Sequence, residues 1–256
     1  MSLTGGAQHC AVVVGKRDAS PASSAGRTLA EFGFLVLLVI VLSFVLKTFL
    51  IQSFYIPSES MEPLLEENNR VIVTKLAPNV LNLHRGDVVV FHDPGQWGTS
   101  AGELPEDEGV KAFFHGVAQS LGLAPQSSEE FLIKRVIGLP GDHITCAGNG
   151  APLVINGVAI TEPYIAAGSN PSTQVLDLVV PEGGLWVMGD NRDASADSRW
   201  HDDPGEAGYS EEWKGAVPID NVVGVAQLRS WPLDRFALIK NPGSVFAQVP
   251  DPSPAG

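Results

Sequence analysis

The chain has 256 residues, enough for one large domain or two small ones. Its 16 lysine and arginine residues against 29 aspartate and glutamate residues give a formal net charge of −13. This acidic balance argues against nucleic acid or an anionic lipid surface as the main partner, because both require basic patches.

The N-terminal part of the chain holds the longest apolar run. Residues 1–31 begin with an Ala-, Gly- and Ser-rich segment without periodicity, which predicts a flexible tail. Residues 32–51, FGFLVLLVIVLSFVLKTFLI, are 20 residues with one charge, Lys47. A helix of that length spans roughly 30 Å, the thickness of a hydrocarbon core. We therefore predict a single transmembrane helix.

Two other interpretations of this run are weaker. A cleaved signal peptide has a shorter apolar region and ends in small residues, whereas QSFYIP follows here. A buried core helix rarely runs this long without polar interruption. Three basic residues precede the run, namely Lys16, Arg17 and Arg27. The next one after it is Arg70. The positive-inside rule then places residues 1–31 in the cytoplasm and the remainder outside.

Residues 52–245 are predicted to form a mostly β extracytoplasmic domain of coiled sheets. Its short β-branched runs are RVIVTK (70–75), DVVVF (87–91), FLIKRVIG (131–138), LDLVV (176–180), LWVM (185–188) and VVGVAQL (222–228). Turn signals such as LPGD and INGV separate them, as is typical of an all-β domain. An acidic, Gly- and Pro-rich stretch at 93–130 predicts a partly helical surface insertion. Residues 246–256 predict a frayed C-terminal tail.

Lys134 is unusual because it lies inside an apolar strand. Alternation places it on the same face as Leu132 and Val136, and Arg135 on the other face. If Lys134 is buried, desolvation lowers the pKa of its amine, and a neutral amine is a competent general base. The alternative is that the stem snorkels and the ammonium reaches solvent.

Ser60 lies in the segment PSESMEP, where Pro57 and Pro63 stiffen the backbone on either side. A serine needs an adjacent base to become a nucleophile, and histidine is the usual one. None of the six histidines is marked by its context as that base, but a Ser-His-Asp triad stays open.

The segment GDNRDASADSRW (189–200) is dense in polar residues. It is consistent with a hydrogen-bonded turn that contains ion pairs such as Asp197 with Arg199. Calcium is an alternative because Asp193, Ser195 and Asp197 alternate as in a metal loop. That pattern lacks the central glycine and the closing glutamate of an EF-hand.

These stretches, in this order after an apolar run, resemble the type I signal peptidases (bacterial leader peptidases). PSESMEPLL is similar to the family's nucleophile box, and RGDVVVF (85–91) to the next one. IKRVIGLPGD (133–142) is similar to the lysine box, and GDNRDASADSR (189–199) to the last. The resemblance implies a Ser-Lys serine endopeptidase that removes N-terminal signal peptides from exported preproteins, cutting after a small-x-small motif without metal or cofactor.

The resemblance also implies a role for individual residues. Ser60 matches the nucleophile and Lys134 its general base. Ser58 matches the residue whose hydroxyl joins the Ser60 backbone N–H in the oxyanion hole, and Ser195 the residue that orients the lysine. Glu59 departs from the family, which more often has glycine there.

Further implied positions concern support and substrate. Asp197 and Arg199 match a structural ion pair. An extended substrate is expected between the strand before Ser60 and the strand that carries Lys134. The residues expected to contact it are Phe54, Ile56, Leu132 and Ile133.

The resemblance implies a location in the bacterial cytoplasmic membrane, single-pass, with the N-terminus in the cytoplasm and the catalytic domain on the outer face. Its implied partners are preprotein signal peptides and the lipid bilayer, with secretion machinery expected nearby and no nucleic acid. The rival from another class is a membrane-tethered β-domain that binds an envelope partner without catalysis. Another is a soluble self-cleaving repressor-type peptidase, which the apolar run and the acidic charge oppose.

Overall fold

The computed structural model describes residues 21–45, 50–78, 82–95, 97, 131–205 and 208–252. The chain divides between Ser43 and Phe44 into two compact units.

The first unit contains the helix α1 (Pro21–Val45) except for its last two residues. Proline suits its first position, where a backbone N–H would have no partner within the helix. Within the described residues, no helix combines the length and the apolar character needed to cross a bilayer. The helix starts inside the predicted tail, and residues 46–49 of the predicted anchor lie outside the described residues. Ile51, predicted as the anchor's last residue, instead begins a strand.

The second unit is built from antiparallel strands, which confirms the prediction of a mostly β domain. The described strands are β1 (Ile51–Tyr55), β2 (Arg70–Thr74), β3 (Val88–His92), β4 (Phe131–Gly138), β5 (His143–Ala147), β6 (Val154–Ile155), β7 (Val158–Ala159), β8 (Val175–Val179), β9 (Gly184–Met188), β10 (Val217–Pro218), β11 (Val222–Trp231) and β12 (Ala237–Leu238). A short helix, α2 (Gly243–Phe246), follows. Single-turn 3₁₀ helices lie at Glu59–Met61, Arg192–Ala194, Ile219–Asn221 and Leu233–Arg235.

The larger sheet has the strand order β1-β2-β11-β3-β4-β9-β10, with β12 beside β11. Its central strand β3 is buried on both faces. Val88 and Val90 pack into one apolar cluster, whereas Val89 and Phe91 pack into another on the opposite face. A central strand with both faces covered reads as a continuous apolar run, as VVVF does here.

The smaller sheet has the order β7-β6-β5-β8 and a separate apolar core. The chain enters it directly from the end of β4, where Gly138 has no room for a side chain. A Cβ at that position would lie 2.6 Å from Ile144 Cδ1 and 3.0 Å from Val180 Cγ2. The predicted turn INGV forms the link between β6 and β7.

The prediction of a frayed tail from residue 246 is wrong as far as residue 252. Phe246, the last residue of α2, and Val249, in the turn that follows it, are buried in the core of the smaller sheet. The Val249 N–H donates to the Phe246 carbonyl at 3.0 Å, which closes that turn. The Pro250 carbonyl accepts hydrogen bonds from Arg85 Nη2 (3.1 Å) and Asn156 Nδ2 (3.0 Å).

Most of the predicted insertion at 93–130 lies outside the described residues. Asp93–Gly95 and Trp97 are described. Trp97 is buried and stacks on His201 at a ring distance of 4.3 Å, so the first residues of this stretch are packed against the domain and do not all lie at the surface.

Candidate active site

Ser60 and Lys134 meet in the larger sheet although 74 residues separate them in sequence. Lys134 Nζ donates a hydrogen bond of 2.8 Å to Ser60 Oγ and one of 3.1 Å to the Ile133 carbonyl. Ser60 is 5% exposed and Lys134 is 4% exposed. The alternative in which the lysine reaches solvent is therefore wrong.

The two side chains reach each other from different elements. Lys134 lies in the middle of β4, opposite Val89 of the central strand β3. Leu132 and Val136 pack into the same apolar cluster as Val89, which confirms that the three alternating residues share a face. Ser60 lies in the 3₁₀ turn that follows β1, and the next residue, Met61, is fully buried.

Burial sets the ionisation of Lys134. It lowers the pKa of the Lys134 amine to about 8, although the carboxylates of Asp197 and Asp190 act to raise it. The cause is desolvation, which penalises the ammonium more than the neutral amine. A substantial fraction of the amine is consequently neutral near pH 8 and can accept a proton.

Ser58 lies at the open side of this pair. Its hydroxyl is 3.3 Å from Ser60 Oγ, and its side chain is exposed. Glu59, between the two serines, is exposed and adopts 3₁₀ helical backbone angles with no positive φ. A residue with a side chain is therefore tolerated here, because this turn does not need the backbone freedom of glycine.

The loop from Gly189 to Arg199 packs directly on the Ser60 turn. The Asn191 backbone N–H donates to the Ser60 carbonyl at 3.1 Å, and Asn191 Nδ2 donates to the Glu59 carbonyl at 3.3 Å. Gly189 leaves no space for a side chain, since a Cβ there would overlap the Ser60 carbonyl and Ser195 Oγ. The loop therefore fixes the backbone of the residue predicted as nucleophile.

Ser195 is buried beside Gly189. Its hydroxyl makes no hydrogen bond of good geometry within the described part of the chain, although the Asp197 carboxylate is near it. A buried hydroxyl without such a bond still has a donor and an acceptor to offer a neighbour.

Asp197 and Arg199 form the ion pair that the sequence predicts. Arg199 Nε and Nη2 bind the carboxylate at 2.8 and 2.9 Å, and the Gly189 N–H donates to it at 3.0 Å. Burial by itself would raise the pKa of Asp197, but the Arg199 guanidinium and these hydrogen bonds lower it. The calcium interpretation of this loop has no support, since no three acidic, histidine or cysteine side chains among the described residues could hold a metal ion.

Two further buried ion pairs near the site went unrecognised in the sequence. Arg135 binds Asp190 at 2.7 and 2.6 Å, and Arg192 binds Glu162 at 2.9 and 2.5 Å. Arg135, Asp190 and Arg192 belong to the quoted motifs, but Glu162 lies outside them and carries no local signal. Only the fold brings it within reach.

The residues predicted to contact substrate do not all lie together. Phe54, Ile56 and Ile133 are buried in one apolar cluster, which also includes Met61, the residue after Ser60. Leu132 packs against the cluster on the other face of the sheet. That separation follows from strand alternation, because neighbouring residues of β4 point to opposite faces.

The histidines whose side chains are described have other contacts. His84 and His143 pair with the carboxylates of Asp87 and Asp177, respectively.

His92 and His201 lie against aromatic rings.

The segment GTSAG (98–102) fits the G-x-S-x-G elbow pattern and lies outside the described residues. That elbow belongs to a strand-to-helix turn of an α/β sheet, whereas the sheets here are antiparallel.

A hydroxyl nucleophile hydrogen-bonded to a partly neutral amine is the arrangement that Ser-Lys hydrolases use.

Comparison with known proteins agrees with this chemistry. A family model described as "Signal peptidase, peptidase S26" matches residues 29–231. Signal peptidase I of Mycobacterium tuberculosis is 33% identical over 238 residues, which cover 84% of this chain and 76% of that protein. Signal peptidase I of Leptolyngbya laminosa is 34% identical over 207 residues, which cover 81% and 82%.

A crystal structure of a signal peptidase I from Enterococcus faecalis is 25% identical and covers 57% of this chain and 97% of its own, with a TM-score of 0.33. The chain belongs to the signal peptidase (peptidase S26) family, as its sequence resemblance implies.

Proposed function

We propose that this protein removes N-terminal signal peptides from exported preproteins, with Ser60 as the nucleophile and Lys134 as its general base. The observation that carries the proposal is the 2.8 Å hydrogen bond between Lys134 Nζ and Ser60 Oγ, both buried. A non-catalytic binding domain would have no use for a lysine kept partly neutral beside a serine.

The chemistry proceeds in two halves. In the first, the neutral Lys134 amine takes the Ser60 proton as Oγ attacks the scissile carbonyl carbon. The tetrahedral intermediate then collapses, the peptide C–N bond breaks, and the Lys134 ammonium returns the proton to the leaving amine. In the second half, Lys134 deprotonates a water that attacks the acyl-enzyme ester, and Ser60 regains its proton as the signal peptide leaves as a carboxylate.

The oxyanion would be stabilised by the Ser60 backbone N–H and the Ser58 hydroxyl. Ser58 Oγ lies 3.3 Å from Ser60 Oγ, on the exposed side from which a substrate carbonyl would approach. Preorganised donors at this position typically contribute about a hundredfold to a thousandfold in rate each.

Ser195 would orient the lysine amine. Its buried hydroxyl lies next to Gly189, which itself contacts the Ser60 carbonyl. The Asp197–Arg199 pair supports this loop by binding the Gly189 N–H and the Arg192 carbonyl.

An extended substrate has two open strand edges available. β1 is the outermost strand of the larger sheet. β4 pairs with β9 only from Arg135 onward, so the side of Phe131–Lys134 that faces away from β3 has no strand partner in the described chain. The two edges approach each other at Phe54 and Phe131, whose ring centroids are 5.1 Å apart. A peptide could add to either edge by main-chain hydrogen bonds, which read any sequence, while side-chain pockets select small residues.

We place this activity at the outer face of the bacterial cytoplasmic membrane, with residues 32–51 as a single-pass anchor and the N-terminus in the cytoplasm. The single charge in the run and the basic residues before it support this topology. Ser60 is the ninth residue beyond the run, a reach of at most about 30 Å. Retention in the membrane pellet after an alkaline carbonate wash is expected, and release into the supernatant would contradict the anchor.

The function is tested by cleavage of a secretory preprotein by the full-length protein in detergent. Wild type should cut after a small-x-small sequence, and Ser60→Ala and Lys134→Met should each reduce kcat by at least about 10⁴-fold. An active Lys134→Met variant would show that the base is another residue. If none of the three cleaves although all are folded, the tethered binding domain becomes the better interpretation.

A further inference from the structure

Glu162 and Tyr164 lie on the connection between β7 and β8, outside all four motifs that resemble the signal peptidases. The Glu162 carboxylate accepts hydrogen bonds from Arg192 Nη1 (2.9 Å) and Nη2 (2.5 Å), and both side chains of this pair are 1% exposed. Burial alone would lower the pKa of Arg192, but the Glu162 carboxylate raises it. The pair is therefore closed to solvent, and Arg192 is held in its charged form.

Arg192 also donates to two backbone carbonyls, that of Gly189 in the loop beside Ser60 and that of Pro171 on the connection between β7 and β8. Its Nε donates to the Gly189 carbonyl at 3.0 Å, and Nη1 donates to the Pro171 carbonyl at 2.7 Å. The Gly189 N–H is bound in turn by Asp197 at 3.0 Å. Both polar groups of Gly189 are thus held, and Gly189 is the residue wedged between the Ser60 carbonyl and the Ser195 hydroxyl.

Tyr164 connects the same carboxylate to the strand that carries the lysine. Its hydroxyl donates to Glu162 Oε1 at 2.7 Å, and its ring lies 4.3 Å from the guanidinium carbon of Arg135. Burial, and then the Glu162 charge, raise the pKa of Tyr164 well above 10, so the phenol stays protonated and donates. Arg135 follows Lys134 in β4 and binds Asp190, the neighbour of Gly189.

We propose that Glu162 and Tyr164 are positioning residues for the reaction. They hold the Gly189–Arg199 loop and the strand β4 in the relative position that aligns the Lys134 amine with the Ser60 hydroxyl. This inference rests on the proposed function of Ser60 and Lys134. Neither Glu162 nor Tyr164 contacts Ser60 or Lys134 through any of the hydrogen bonds described, so each acts through Arg192 or Arg135.

A second buried ion pair provides a matched control. Arg85 Nε and Nη2 bind Asp142 at 2.7 and 2.6 Å, a two-point contact like that of Arg192 with Glu162, although Arg192 uses Nη1 and Nη2. Asp142 otherwise accepts from the Leu139 N–H and from Asn156 Nδ2, and neither of these residues is part of the Ser60 loop. Breaking this pair removes no hydrogen bond from the Gly189–Arg199 loop. It reaches β4 only through Gly86, whose carbonyl accepts from Arg135 Nη1 at 2.8 Å, so the loss of kcat should be small beside that of Glu162→Gln.

The experiment measures kcat, KM and the pH dependence of kcat/KM for preprotein cleavage by the full-length protein in detergent. The variants are Glu162→Gln, Tyr164→Phe and the control Asp142→Asn, each with its melting temperature. Glu162→Gln should lower kcat by on the order of a hundredfold with little change in KM, because a displacement of the reacting groups by about 1 Å lowers the rate by about that factor. Tyr164→Phe keeps the ring under Arg135 and should show a smaller loss of kcat.

The pH profile separates positioning from stability. The charges that act on the Lys134 amine are Asp197, Asp190 and Arg199, all carried by the loop that Arg192 holds. Glu162→Gln should therefore shift the apparent pKa of the rising limb, whereas Asp142→Asn should lower the melting temperature and leave that apparent pKa unchanged.

The inference is overturned if Glu162→Gln melts at a lower temperature but keeps the wild-type kcat and pH profile. If Glu162→Gln does not fold, Tyr164→Phe decides, and wild-type kinetics in that variant would overturn the inference. A wild-type protein that does not cleave would overturn the proposed function and this inference together, whereas a cleaving wild type with unaffected variants overturns the inference alone.

Discussion

The two sheets differ in whether their charged side chains are buried or exposed. In the larger sheet, adjacent residues Lys134 and Arg135 of β4 are both buried. In the smaller sheet, the hydrogen bond between His143 Nε2 and the Asp177 carboxylate lies at the surface, with side chains 51% and 78% exposed. The core of the smaller sheet is apolar, whereas the region around Ser60 contains several closed ion pairs.

This difference shows where the fold accepts an energetic cost. Burying a charge is unfavourable unless a partner and further hydrogen bonds compensate for it, and an apolar replacement of a buried ion pair is often no less stable. The larger sheet nevertheless concentrates such pairs beside Ser60. In the strands of the smaller sheet, which hold no reacting group in our proposal, His143 and Asp177 pair in solvent, where such a contact contributes little. The buried Arg85–Asp142 pair lies just outside these strands, before β5.

The largest expected effect comes from removing the charge of Asp190. In Asp190→Asn, the Arg135 guanidinium would be left buried without its carboxylate. We expect a loss of about 3–5 kcal/mol in the free energy of unfolding, since breaking a buried pair strands the remaining charge. Chemical denaturation of the full-length protein in detergent measures this change.

Asp177→Asn is the matched control in the smaller sheet. Because Asp177 and His143 are exposed, the substitution should change the free energy of unfolding by no more than about 1 kcal/mol. Equal losses in the two variants would contradict the contrast between the sheets.

A smaller effect, confined to activity, is expected from Ser58→Ala. The Ser58 side chain is exposed, so stability should change by no more than about 0.5 kcal/mol. Loss of one oxyanion donor should lower kcat by about a hundredfold to a thousandfold. Steady-state cleavage of a preprotein, with KM measured separately, checks this expectation, and an unchanged kcat would remove Ser58 from the oxyanion hole.

Much of the β-domain could be predicted from local sequence. The run FLIKRVIG coincides with β4, and RVIVTK and LWVM coincide with β2 and β9 to within one residue at either end. Such runs carry their signal in β-branched composition and flanking turns. β5 (His143–Ala147) was not predicted, because its sequence is short and partly polar and gives little local signal for a strand.

The candidate site was predictable only where residues lie in recognisable motifs. Ser60 and Lys134 were found in this way, and their hydrogen bond could not have been read from the sequence because it depends on the pairing of distant strands. Glu162 and Tyr164 were missed because their roles arise from tertiary contacts with Arg192 and Arg135. The docking of Phe246 was missed for the same reason.

The most direct test of the Ser60–Lys134 assignment is the pH dependence of kcat/KM for preprotein cleavage by the wild-type protein. Burial lowers the pKa of Lys134 to about 8, and only the neutral amine can take the Ser60 proton. We therefore expect kcat/KM to rise with pH along a single limb with an apparent pKa near 8. A limb centred near 6.5, the ordinary value for histidine, would contradict it and point to a histidine base.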